Sequence, residues 1–216
     1  QALWEQALQT AEAIQGAWER AKALRAIAEA MASAGMWEQA LRTAEAIQGA
    51  WERAKALRAI AEAMARTGMT RQAQEAFHQA LQTAKAIEEP RERAKALRAI
   101  AEAMASTGMI QQAQEAFHQA LRTAEAIEEP WERAKALRAI AEAMASAGMT
   151  QQAQEAFHQA LRTAKAIKWV KDRAEALRAI AEAMARAGMT QQALWEQALQ
   201  TAEAIQGAWE RAKALR

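Results

Sequence analysis

Residues 93–105 read R-A-K-A-L-R-A-I-A-E-A-M-A. The same words return from Arg20, Arg53 and Arg133, and once more from Arg173 with Glu175 in place of the lysine. A further copy opens at Arg211 and runs to Arg216. The stretches between copies recur as well, so almost no residue lies outside the repeat, and such self-similarity marks an array of supersecondary units. Arg53, Arg93, Arg133 and Arg173 stand 40 residues apart, whereas Arg20 precedes Arg53 by 33 and Arg211 follows Arg173 by 38. The repeats are therefore 20–52, 53–92, 93–132, 133–172 and 173–210, with partial copies at 1–19 and 211–216, read as one solenoid over 1–216.

Within the unit, Leu97, Ile100, Ala101 and Met104 recur at intervals of three and four, which is one face of an α-helix over about 92–107. Lys95, Arg98 and Glu102 fall on the opposite face. Gly108 is placed to close that helix, because glycine accepts the left-handed conformation without a Cβ clash. Thr70 and Thr150 then stand where a side-chain cap of the next helix is expected, and the copy with Ile110 lacks it, at a cost of about 0.5–2 kcal/mol. The second helix is expected over about 111–128, with Ala113, Phe117, Ala120, Ala124 and Ile127 as its stripe. Pro90 and Pro130 suit the first position of a new helix, with Glu92 and Glu132 in its favourable first turn.

These residues carry a resemblance. Leu97, Ile100, Ala101 and Met104, then Ala113-x3-Phe117, then Pro130, resemble the tetratricopeptide repeat, as does Gly35-Met36-Trp37-Glu38-Gln39-Ala40-Leu41 in the short copy. The resemblance covers essentially the whole chain. It implies an all-α fold, an α-solenoid of antiparallel helix pairs, here with about ten to twelve helices. The mostly 40-residue repeats depart from the family in a second helix about two turns longer than its usual one. It also implies a concave face formed by the first helices, on which a peptide or helix is held. The residues on that face are Lys55, Arg58 and Glu62, Lys95, Arg98 and Glu102, and Lys135, Arg138 and Glu142. Their basic members suit a peptide's carboxylates, although Arg98 and Glu102 are also spaced to pair with each other on a solvated face.

Departures from uniformity are concentrated near the two ends. The short copy lacks seven residues, about two helical revolutions, so its apolar face stays in phase. Thr190–Trp195 lacks two, which does not preserve phase and reads as a joint between fused pieces. Residues 192–216 repeat 1–25 identically. Trp4, Trp18, Trp37, Trp51, Trp195 and Trp209 all lie in these edited copies and are candidate anchors of an oligomer interface, with Trp37 alternatively filling the family's aromatic position in its own hairpin. Matching ends would assemble head to tail, as a ring or a filament. Lys168-Trp169-Val170-Lys171-Asp172 replaces the proline-containing linker, and two flanking helices would be free to fuse there. Gly16, Gly49 and Gly207 are either turns or weak points in continuous helices.

Composition closes several functions. There is no Cys, so neither a disulfide framework nor a cysteine metal site exists. Net charge is only +2, with both signs interleaved, and the helical face does not vary between repeats as an RNA-reading array would, so no nucleic-acid partner is expected. Gln1–Glu5 begins no basic leader and charges recur throughout, so the expectation is a soluble chain with no membrane partner and no assigned compartment. His78, His118 and His158 share one repeat position. Repeats stack at about 8–10 Å, too far for histidines that must each lie about 2.1 Å from one zinc, so no metal or cofactor is expected. Ser106 and Glu102 with these histidines lack an oxyanion loop and an orienting Asp, so no enzyme is expected. The function these residues imply is a structural repeat scaffold, engineered or recently duplicated, that associates with itself; the alternative is a module holding a peptide or protein on its concave face.

Overall fold

The structure, a computed structural model, describes residues 2–189 together with Gly207, and among them it contains ten α-helices and no strand. The chain falls into two compact units, Gln1–Ala116 and Phe117–Arg216. The first unit carries α1 (Ala2–Glu12), α2 (Ala17–Ser33), α3 (Trp37–Glu45), α4 (Ala50–Arg66), α5 (Thr70–Lys85), α6 (Pro90–Ser106) and the start of α7 (Ile110–Glu125). The second carries the rest of α7, then α8 (Pro130–Ser146), α9 (Thr150–Lys165) and α10 (Val170–Arg186). In the first unit α2 pairs with α3 and α4 with α5, and the first helices α2, α4 and α6 also pack directly on one another. In the second unit α8 pairs with α9 and packs on α10.

Each of these first helices is 17 residues long and is covered on two sides, by a second helix and by a neighbouring first helix. Leu97, Ile100, Ala101 and Met104 are all buried, as expected, and alanines such as Ala94, Ala96 and Ala103 line the remaining contacts. Small residues there let helix axes approach closely. In the second helices Phe77, Phe117 and Phe157 are fully enclosed, and with Ala73, Ala80 and Ala84 they form the stripe the sequence implies. The short α3 has 9 residues where α5 has 16, yet Ala40, Ala44 and Ile47 remain fully buried, so the face is kept in phase. Trp37 stands at the register position of Phe77 and is half-buried.

Every first helix ends on a left-handed glycine, with φ between +67° and +82° at Gly35, Gly68, Gly108, Gly148 and Gly188. At Gly108 the closing bonds run from its own N–H to the Ala105 carbonyl at 3.1 Å and from the Met109 N–H to the Met104 carbonyl at 2.9 Å. This is the paired arrangement that satisfies the last carbonyls of a helix.

Four local expectations are corrected. Thr70 and Thr150 are the first residues of α5 and α9, not caps; Met69 and Met149 precede them and no side chain caps either helix. Ile110 likewise opens α7, 47% exposed, and loses no cap relative to the others. The second helix ends at Glu125, short of the expected 128, and Ile127 is buried from the linker. Residues 168–172 do not fuse the flanking helices: α9 ends at Lys165, and Trp169 is the extended residue before α10. Gly16 and Gly49 are the extended N-terminal caps of α2 and α4 and so mark turns. Thr190–Trp195 and the repeated segment 192–216 lie outside the described residues, apart from Gly207, which is helical.

Candidate functional site

On α4 the positions Trp51, Lys55, Arg58 and Glu62 are spaced by four, three and four residues, which places them along one face. The faces of α2, α4 and α6 adjoin because these helices pack side by side. The same holds for α8 and α10 in the second unit.

Most of the charge on these faces is internally paired. Arg98 donates to Glu102 at 2.5 Å, Arg138 to Glu142 at 3.0 Å and Arg25 to Glu29 at 2.9 Å, and Arg58 pairs with Glu62 in the same way. Each is an i, i+4 pair worth a few tenths of a kcal/mol. Two pairs cross between repeats. Glu142 on α8 also accepts from Arg186 on α10 at 2.6 Å. The Nε of Arg25 on α2 lies 2.6 Å from Oε2 of Glu52 on α4, an ion-pair contact without hydrogen-bond alignment. Burial alone would lower the Arg25 pKa. The hydrogen bond and charge of Glu29 and the charge of Glu52 outweigh it and hold the guanidinium above its ordinary value.

The lysines meet tryptophan. Lys22 lies 4.6 Å from the Trp18 ring centroid, and Trp51 carries two ammonium groups, Lys55 from its own helix at 5.5 Å and Lys95 from α6 at 5.1 Å. These distances are within cation–π reach. In the second unit the corresponding place is a cavity of about 200 Å³ between α8 and α10. Trp131, Ala134, Ala176, Ala179 and Ile180 form its apolar wall, and Lys135, Arg138 and Glu175 supply the charge. Of the charged face residues expected from the sequence, Lys95 and Lys135 are exposed and the others are half-buried.

The tryptophans proposed as an interface do not form one group among the described residues. Trp4 on α1 and Trp37 on α3 occupy the second-helix aromatic position, both half-buried, while Trp18 and Trp51 share one first-helix position. Trp18 is 60% exposed, and Trp195 and Trp209 lie outside the described residues. His78, His118 and His158 are all exposed, and among the described residues no group of three metal-ligating side chains forms. No described helix is long and apolar enough to cross a membrane.

Sequence reasoning missed two positioning devices. Arg20, Arg93, Arg133 and Arg173 each reach back to donate to a linker carbonyl, of Ile14, Ile87, Ile127 and Ile167, at 2.6, 2.9, 2.9 and 2.8 Å. This fixes the entry angle of α2, α6, α8 and α10. The signal was available: an isoleucine stands six residues before that arginine in every copy. Glu89 caps α6 by accepting from the N–H groups of Arg91 and Glu92 at 3.0 and 2.7 Å, and Glu129 accepts from Trp131 at α8. A carboxylate at a helix N-terminus is doubly favoured, by hydrogen bond and by dipole.

No protein-family model matches the chain, and no curated protein matches it in sequence. Among solved structures it is similar to Ton1535 from Thermococcus onnurineus NA1, with 23% identity, a TM-score of 0.62, and coverage of 82% of this chain and 51% of that one. This chain thus spans about half the length of that protein. It also matches the nearly identical TPR-like repeats of a Podosopora anserina kinesin light chain, with 20% identity, a TM-score of 0.47 and coverage of 89% and 97%. A third match is BtubC from P. vanneervenii, with 15% identity, a TM-score of 0.47 and coverage of 97% and 90%. Successive helical hairpins, the buried Leu97, Ile100, Ala101 and Met104 stripe and the enclosed Phe117 make this an all-α helical-repeat protein of the α-solenoid class.

Proposed function

We propose that this tetratricopeptide-like scaffold holds a partner polypeptide on the face of its first helices. The observation that carries the reading is the cavity between α8 and α10, where a half-buried Trp131 and four apolar neighbours are rimmed by Lys135, Arg138 and Glu175. An aromatic wall with a few charged groups at its edge is how a groove anchors one side chain of a bound chain and orients the rest. The volume, about 200 Å³, suits one large side chain. Neither the paired charges elsewhere on the face nor the exposed histidines offer reaction chemistry, and the reading involves no catalysis, metal or cofactor.

The test is a selection of random displayed peptides on the immobilised chain, followed by rechallenge with Ala179→Arg, which fills the cavity from a half-exposed position. Peptides enriched on the parent and lost on the variant support the reading. Peptides that bind both equally, or no enrichment over a blank surface, overturn it.

A second reading, association between copies, is favoured by the identity of residues 192–216 with 1–25 and by the exposure of Leu3 and Trp18 on α1 and α2. A chain that carries one segment twice offers the same packing surface twice, and its copies would join head to tail. The near-identity of the repeats at solvent-facing positions supports an engineered or recently duplicated origin. Light scattering over a concentration series decides the matter: mass that rises with concentration and falls with Leu3→Glu plus Trp18→Glu supports association, and a constant monomer mass rejects it.

A further inference from the structure

The two units use one position differently. In the first, Trp51 is followed 44 residues later by Lys95, whose ammonium sits 5.1 Å from the indole centroid. In the second, Trp131 is followed at the same spacing by Glu175, where the repeat word otherwise has lysine. The cation that the fold itself supplies to the Trp51 ring is therefore absent at Trp131 and is replaced by a carboxylate on the same cavity wall. Among the described residues neither Glu175 nor Lys135 has an ion-pair partner, and no cation is seated on Trp131.

From this we infer that the cavity between α8 and α10 accepts a cationic side chain, lysine or arginine, of the bound polypeptide, with its charge on the Trp131 ring and beside the Glu175 carboxylate. The inference rests on the reading of this face as a polypeptide-binding surface and names the chemistry of what enters it. Three features of the cavity fit. An indole is the best aromatic partner for a cation, and the interaction strengthens as the cation is desolvated. Ala134, Ala176, Ala179 and Ile180 give apolar cover to the methylene stem of such a side chain, which prefers to lie on apolar surface with its head at a polar rim. The volume of about 200 Å³ is that of one long side chain and its surroundings.

Lys135 and Arg138 do not exclude a cation. Arg138 is held along its own helix by Glu142 at 3.0 Å, a carboxylate it shares with Arg186 at 2.6 Å, so its charge is offset in part and its guanidinium is tied to Glu142. Lys135 is the counterpart of Lys55, and in the first unit the Trp51 ring carries both Lys55 at 5.5 Å and Lys95 at 5.1 Å. One indole in this setting thus tolerates two ammonium groups, and at Trp131 the second place is open and faces a carboxylate instead of a lysine stem.

The experiment uses the full chain and four acetylated, amidated pentapeptides of Gly and Ser that differ only in a central Lys, Arg, Gln or Glu. The readout is the indole N–H resonance of Trp131, assigned by its loss in Trp131→Phe. The variant Glu175→Lys installs the residue that the repeat already uses at Lys95, so the fold is retained. The Lys and Arg peptides should shift the Trp131 resonance saturably in the millimolar range, and the Gln and Glu peptides should not. Glu175→Lys should weaken the Lys and Arg peptides by about tenfold or more, the scale of losing one cation–π contact with its carboxylate. If the Gln or Glu peptide shifts Trp131 as strongly as the Lys peptide, or if Glu175→Lys binds the Lys peptide undiminished, the cation inference is overturned while the binding face stands. If no peptide moves Trp131, both the inference and the cavity as a binding site fail.

Discussion

Arg25 on α2 places its Nε 2.6 Å from Oε2 of Glu52 on α4, and this contact ties two successive repeats together at a site where Glu52 is only 6% exposed. Glu52→Ala leaves the guanidinium half-buried beside Glu29 alone. The expected loss is about 1–3 kcal/mol, because a partly buried charge gives up a partner it cannot recover from water. Denaturant unfolding of the two proteins measures it. The sign of the pH dependence is also fixed. The folded-state pKa of Arg25 is raised, so its contribution is complete below the unfolded value and lost only as pH rises through the folded one. The difference between parent and variant should therefore stay constant from neutral to moderately alkaline pH.

Two glycines should respond oppositely. Gly108 has φ of +82° and nothing within 4 Å of the place a Cβ would take, so Gly108→Ala meets no neighbour but holds alanine in the left-handed region, at a cost of about 1–2 kcal/mol. Gly49 caps α4 at an ordinary φ of −78°, and an added Cβ would meet only Ala21 at 4.0 Å. Gly49→Asp supplies the side-chain cap that α4 lacks and should stabilise by about a few tenths of a kcal/mol. Thermal unfolding of the pair separates the two effects by sign.

Phe157 and His158 are neighbours with opposite surroundings, the first fully buried in the α8–α9 pair and the second exposed. Phe157→Ala should cost about 3–5 kcal/mol. His158→Ala should fall within about 0.5 kcal/mol of the parent. Comparable losses from both in denaturant unfolding would mean that α9 is rotated from this orientation.

Arg173 donates to the Ile167 carbonyl at 2.8 Å and so holds the linker that has Trp169 and Val170 where Glu129 and Pro130 stand in the repeat before it. Without a proline to restrict the backbone, that hydrogen bond restrains the linker together with the burial of Ile167. Arg173→Ala should cost about 1–2 kcal/mol and speed amide exchange from Ala166 to Val170. The same change at Arg133, where Pro130 remains, should speed exchange less.

The helix pairs were legible because their causes are local. The Leu97, Ile100, Ala101 and Met104 spacing has the helical period, and Gly108 is the residue that a left-handed helix end favours. The misplaced caps show where locality ends. Thr70 has cap chemistry, but Gly68 and Met69 complete the preceding turn, and the equivalent Met109 and Met149 are buried at 6% and 7% exposure. Burying Met149 fixes the register in its copy, which moves Thr150 one residue into the next helix. The end of the second helix was misread for a related reason, since Arg133 takes the Ile127 carbonyl from the linker. The cavity was not legible at all. Glu175 is visible as a departure from the repeat word, but its meaning depends on Trp131, 44 residues away, sharing its wall.

The central claim is that the first helices present the binding face, and placing a photo-crosslinking residue at each of two positions tests it most directly. One replaces Ala179 on α10, at the cavity, and the other replaces His158 on the exposed side of α9. With a peptide selected on the full chain, irradiation is expected to give a covalent adduct from position 179 and none from position 158. An adduct from 158 alone, or equal yields from both, would contradict the account.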